Sequence, residues 1–226
     1  MAIVYPEFAP ITHCAGVLGL PFDRLVEAER EWRSGQSVEY EFLDVEGELP
    51  TQLERLLPLN GPKVRDLWVE AGNGCVFFDN FVNGTDPHPV AHLSRIHQCS
   101  GFLVASTPDT EFRYGQTRLD VYGPEAESRT GAVRVVCATN DGGRWSWDTS
   151  GTPLAFERVE FYQERRIRDR LPPWLLAEYC LALSIPVFEE SFYGSRGLLI
   201  TNMARQSMTS LRTESLGDRR AQLGLL

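Results

Sequence analysis

The apolar residues of PFDRLVEAEREWRSG recur at helical spacing. Phe22, Leu25, Val26 and Trp32 share one face with Glu29, and Gly35 is placed to stop the helix. SVEYEFLDVEG then alternates. Val38, Tyr40 and Phe42 point one way and Glu39, Glu41 and Leu43 the other, the period of a half-buried strand. LPTQLERLLPL reads as a short helix with Thr51 as a cap and Pro58 at its end. In KVRDLWVEAGNGCVFFDNF two apolar runs flank Asn73-Gly74, whose tolerance of positive φ predicts a hairpin.

TDPHPVAHLSRIHQCSG predicts a helix closed by Gly101, and GFLVAST an apolar strand. Residues 117–123, 132–139 and 144–148 predict a consecutive antiparallel meander, with NDGG at 140–143 as one of its turns. VEFYQERRIRDRL and PPWLLAEYCLALSI predict two further helices, the second entered through Pro173, and PVFEESFYG a short extended or turn segment. Helices lead, strands fill the middle and helices close the chain. That order predicts an α+β fold, one mainly antiparallel sheet packed by N-terminal and C-terminal helices, rather than a doubly wound one. The expected division is a single domain over residues 1–194 and a peripheral tail over 195–226, where Ser, Thr and Arg are frequent.

Composition sharpens this picture. At 226 residues and 42% hydrophobic, the chain can bury a core without disulfide staples. No apolar run approaches the roughly 18 residues that cross a bilayer, and Pro6, Glu7 and Pro10 interrupt the N-terminus, so neither a membrane span nor a signal peptide is expected. Cys14, Cys75, Cys99, Cys137 and Cys180 form no C-x-x-C pair and are odd in number, the pattern of free thiols in a reducing cytoplasm.

The net charge of −9 argues against a nucleic-acid partner. It is also uneven: residues 1–150 hold 12 Arg/Lys against 22 Asp/Glu, and residues 151–226 hold 10 against 9. An acidic front of this kind steers toward a basic protein surface.

Four stretches carry candidate chemistry. In TDPHPVAHLSRIHQC, His88 and His92 lie four apart on one helical face, and Asp86 precedes them, a possible zinc site. The interval Pro89-Val90-Ala91 lacks the Glu of an H-E-x-x-H protease, His97 turns toward the face of Val90 and Leu93, and Asp86 also suits an N-cap. In RWSWDTSG, Trp145 and Trp147 fall on one side of a strand, either as core or as a recognition patch, and Asp148 opens an Asx-type turn. ERRIRDR offers Arg165 and Arg166, with Arg168 and Arg170, to a carboxylate or phosphate, or to neighbouring Glu and Asp. Cys14 beside His13 is a fourth pairing, one that a strand would split. There is no phosphate-binding loop and no nucleophile elbow, and no catalytic residue or cofactor is indicated.

The linked patterns W-x-W-D-T-S-G-x-P, RRIRDR-L-x-P-x-x-L and FEESFYG resemble the C-terminal half of stand-alone bacterial proteins of unknown function, and the element order, acidic charge and Trp content resemble the immunity proteins that neutralise polymorphic or secreted bacterial toxins, the resemblance covering residues 67–194. The resemblance implies a cytoplasmic protein-binding protein whose partner is a toxin with a basic surface. Trp145, Trp147, Asp148, Arg165 and Arg166 are the expected contact residues. The alternative expectation is a small metal-dependent hydrolase using Asp86, His88 and His92.

Overall fold

The structure is a computed structural model that describes residues 2–60, 63–81, 85–110, 115–124, 131–204 and 213–225. Nine strands form one sheet in the order β2-β9-β3-β4-β1-β5-β6-β7-β8, and every neighbouring pair is antiparallel. They are β1 (Cys14–Leu18), β2 (Tyr40–Glu46), β3 (Arg65–Ala71), β4 (Gly74–Asp79), β5 (Gly101–Thr107), β6 (Gln116–Tyr122), β7 (Ala132–Asp141), β8 (Arg144–Ser150) and β9 (Tyr193–Asn202). The helices are α1 (Phe22–Ser34), α2 (Leu49–Leu53), α3 (His88–Ile96), α4 (Pro173–Ala182) and α5 (Leu216–Gln222). Among the described residues, no helix is long and apolar enough to cross a membrane.

Both faces of the sheet are covered, so its central strands are apolar on both sides. On one face Val17, Leu67, Val69, Val76, Phe78, Val104, Leu119, Val136 and Leu199 pack with Leu49 and Leu53 of α2 and with Leu175, Leu176 and Tyr179 of α4. On the other, Leu18, Trp68, Phe77, Leu103, Leu198 and Ile200 meet Leu25 and Ala28 of α1 and Val90 and Leu93 of α3. Full burial of each such large side chain is worth roughly 1.5–3 kcal/mol. Close approach of α3 depends on Gly16, where a Cβ would stand 2.5 Å from Val90 Cγ2. Since α3 lies mid-chain, the helices on the sheet are not confined to the two ends of the sequence.

The meander of β6, β7 and β8 follows the alternation of its sequence, with Gly142 and Gly143 at φ 63° and 84° in the last turn. Other expectations need correction. The boundary drawn between residues 194 and 195 falls inside β9, which pairs with β2 on one side and β3 on the other. Residues 195–202 therefore belong to the sheet rather than to a tail. Gly194, Ser195 and Gly197 disguise this strand, yet a Cβ at Gly197 would stand 2.8 Å from Val45 Cγ2 and 3.1 Å from the backbone oxygen of Trp68. The rest of the expected tail lies partly outside the described residues; α5 and a bridge between Leu59 and Glu214 are the parts described.

VEFYQERRIRDRL forms two 3-10 turns, Val159–Gln163 and Ile167–Asp169, instead of one α-helix. Its apolar residues make no continuous stripe, and Val159 is 46% exposed. Tyr162 and Glu157 are held to the sheet by Arg134, which fixes the segment in its irregular path. The α3 helix stops before Gly101. Gln98 turns left-handed at φ 52°, Cys99 N–H bonds Ser94 O, and Gly101 begins β5. In the β3–β4 hairpin the positive φ belongs to Gly72, at 54°, not to Asn73-Gly74. The short helix at 49–53 starts from Glu48, not Thr51.

Candidate functional site

The sequence candidates are not brought together in one place. Trp145 and Trp147 lie on one side of β8, half-buried against the larger core. Trp147 packs on Tyr162 with ring centres 5.0 Å apart, and the Arg170 guanidinium lies 5.9 Å from the Trp147 ring. Both indoles are thus core-facing side chains, and Trp147 lies under the 159–170 segment. Asp148, one residue on, projects from the opposite side of β8 and is exposed. Arg165 and Arg166 are exposed between the two 3-10 turns and form no ion pair with a described residue.

Behind the tryptophans, Arg134 is clamped to Glu157 by two bonds, Nε to Oε1 at 2.9 Å and Nη2 to Oε2 at 2.6 Å. Arg134 Nη1 also donates to Ser150 O and Gly151 O, and the Tyr162 hydroxyl donates to Glu157 Oε2. Burial alone would raise the Glu157 carboxyl, but these donors outweigh it and hold it below the usual range. The cluster staples residues 150–162 to β7.

His88 and His92 lie against an indole of α1. Trp32 of α1 stacks on His92 at 4.5 Å between ring centres and 27° between planes. His88 lies 5.7 Å from the same indole and 5.9 Å from His92. Burial, together with His88, Arg95 and His97, lowers the His92 pKa, so the neutral ring that stacks well is favoured. Asp86 Oδ1 accepts the backbone N–H of His88, but the N-cap of α3 is Pro87, one residue after the Asp86 expected there. No group of three His, Cys, Asp or Glu side chains placed to hold a metal ion occurs among the described residues. His13 and Cys14 are both buried, and burial pushes the Cys14 thiol up to about 12, far from a thiolate at neutral pH.

The stack roofs a charge cluster that the sequence reading passed over. Glu29 and Arg33, one helical turn apart on α1, both point inward. Arg33 Nε donates to Glu29 Oε2 at 2.7 Å and Arg33 Nη2 to Asp66 Oδ2 at 2.6 Å. Trp68 Nε1 donates to Glu29 Oε1 at 2.7 Å. The Arg33 guanidinium also lies over the rings of Trp32 and Tyr40, at 5.0 and 4.7 Å. Asp66 stands directly across the β3–β4 ladder from Asp79. Burial pushes the Asp66 carboxyl up to about 6 against the pull of Arg33, and Glu29 is raised for the same reason. Asp79 is raised well above the ordinary range by burial, while its oxygens accept the N–H groups of Phe81 and Asp86. One signal was available: Glu29 sits in the apolar stripe of its helix, with Arg33 four residues on.

At the other end of α1 is a cleft of about 410 Å³. Asp23 and Glu27 of α1 and Asp44 and Glu46 of β2 line it, against the one guanidinium of Arg196. Arg196 bonds Asp23 at 2.5 Å, lies 3.5 Å from Glu70 and covers the Phe22 ring at 4.6 Å. Among the described residues β2 is an edge strand, with no strand along its outer side. Its exposed side chains include Glu41, Asp44 and Glu46 beside Leu43, which is 50% exposed. The opposite edge, β8, carries one charge of each sign, Arg144 and Asp148. This side carries part of the acidic front of the sequence, together with Arg24, 3.6 Å from Glu27, and Arg30, which lies over the Phe42 ring of β2. This arrangement can attract and hold positive charge, and it offers an unpaired strand edge to a partner.

Comparison of the chain with family models, curated proteins and solved structures finds no match.

Proposed function

We propose that the protein acts by contact, as a cytoplasmic protein that binds a basic surface on its partner and blocks it by occlusion, in the manner of toxin-neutralising immunity proteins. The observation that supports this reading is the cleft between α1 and the edge strand β2, lined by four carboxylates and a single guanidinium. Carboxylates on an exposed edge deter self-pairing and favour a cationic partner. Such charges speed encounter and set orientation, whereas the desolvated contacts near them set the dissociation rate. The strand edge supplies backbone donors and acceptors that an extended segment of the partner can pair with. The five cysteines, all free thiols, agree with a reducing compartment.

The test is direct binding to the products of neighbouring genes, with the charge-reversed double variant Asp44→Lys/Glu46→Lys beside wild type. A basic partner is expected to bind wild type with an affinity that falls steeply with salt, and to bind the double variant about tenfold or more weakly. Glu7→Lys, at an exposed carboxylate outside this cleft, is expected to leave binding unchanged. Equal affinity of wild type and the double variant, or binding that ignores salt, would overturn the reading.

A further inference from the structure

The two ends of the sheet are guarded differently. On β2 the exposed carboxylates Glu41, Asp44 and Glu46 repel a second copy of the same strand. β8 has no such guard, and among the described residues no strand lies along its outer side. Its charges are Arg144 and Asp148, both exposed and on the same side of the strand. Neither forms an ion pair with a described residue.

The turn before β8 fixes which of its backbone groups face outward. Gly142 and Gly143, both at positive φ, form a tight turn, so Asp141 and Arg144 on either side of it are a hydrogen-bonded pair. By alternation the N–H and C=O groups of Ser146, Asp148 and Ser150 also turn toward β7, and those of Trp145, Trp147 and Thr149 turn away from it. The outer edge of β8 therefore offers backbone donors and acceptors at every second residue.

We propose that β8 pairs antiparallel with β8 of a second copy of this chain, about a two-fold axis at Ser146, joining two sheets into one. Matching outward groups allows the axis at Trp145, Ser146 or Trp147. An axis at Trp145 sets Arg144 across from Ser146, and one at Trp147 sets it across from Ser150. Only the axis at Ser146 sets Arg144 across from Asp148 of the second copy, and Asp148 across from its Arg144. Opposite charges directly across a ladder stabilise it, and here the symmetry forms the pair twice. On the other side of the strand, Trp145 then stands beside Trp147 of the second copy, so the apolar row against the core continues across the axis. β2, at the far end of the strand order, stays open, so this pairing is independent of the function proposed above.

The test is sedimentation equilibrium of the full-length protein over a range of concentrations at low salt. Wild type is expected to interconvert reversibly between monomer and dimer. Arg144→Asp and Asp148→Arg each set like charges across the ladder twice, and each is expected to weaken the dimer about tenfold or more. The double variant Arg144→Asp/Asp148→Arg exchanges the charges and is expected to restore it. Ser146→Cys places two thiols at the axis, at a Cα separation of about 4.5 Å for a non-hydrogen-bonded pair, within disulfide range. With oxidised glutathione this variant is expected to give a linked dimer, while wild type and Glu41→Cys, on the other edge strand, stay unlinked. A protein that remains monomeric at every concentration would overturn the inference. So would a dimer that the single charge reversals leave intact, that the double exchange does not restore, or that links no better through Ser146→Cys than through Glu41→Cys.

Discussion

Arg33 Nη2 stands 2.6 Å from Asp66 Oδ2, joining the helix α1 to the strand β3 in the interior. The same guanidinium holds Glu29 at 2.7 Å, so one cation serves two carboxylates that are nearly sealed from water. Such a cluster is stable only as a unit. Its desolvation is offset by short charged bonds, by Trp68 Nε1 and by the rings of Trp32 and Tyr40.

Replacing Arg33 leaves the carboxylates of Glu29 and Asp66 buried without their cation. Arg33→Met is expected to cost about 3–5 kcal/mol, measured as the change in free energy of unfolding in urea. Triple replacement of Glu29, Arg33 and Asp66 by apolar residues of similar volume is expected to cost far less than Arg33→Met alone. A single-variant loss below about 1 kcal/mol would mean that the cluster is not held as described.

The raised Asp66 carboxyl sets a pH dependence of definite sign. Its folded pKa of about 6 lies above the unfolded value near 3.9, so between the two the folded state holds more proton than the unfolded. Its contribution to stability is complete below about pH 4 and is lost as pH rises through about 6. Glu29, raised by burial, acts in the same direction. Wild type is expected to lose stability relative to Asp66→Asn between about pH 4 and 6, by no more than about 3 kcal/mol. Parallel urea midpoints for the two proteins across that range would refute the shift.

Glu157 acts as the clasp between β7 and the irregular segment that covers Trp147. Glu157→Ala removes both bonds to Arg134, the Tyr162 acceptor and the acceptor for Leu154 N–H. A loss of about 3–5 kcal/mol is expected, because the Arg134 charge stays buried without its partner. Fluorescence quenching by acrylamide is expected to rise as Trp147 loses its cover. An unchanged quenching constant would show that the segment is held by its apolar contacts alone.

How much was legible depended on whether a signal was local. The amphipathic period of 22–34, the alternation of 40–46 and the meander from 116 to 150 were all readable, because each element buries one patterned face. The strand at 193–202 was not. Its pairing partners β2 and β3 are more than a hundred residues away, and its glycines, which resemble loop residues, are there for close packing. The segment 159–170 failed in the opposite sense. Its charges suit a helix in isolation, and a single buried guanidinium from β7 holds it in another path.

The candidate site divides the same way. The chain by itself determined the acidic excess of its first 150 residues, the pairing of His88 with His92 one helical turn apart and the common side of Trp145 and Trp147. These follow from composition and from periods of 3.6 and 2, which no distant contact alters. Only the tertiary structure decided that the indoles of β8 would face inward, that Trp32 would stack on His92 and that Glu29, Arg33, Asp66 and Asp79 would meet beneath that stack. Those outcomes depend on helix-to-sheet docking and strand register, which bring together charges far apart along the chain and remove the water that would otherwise screen them.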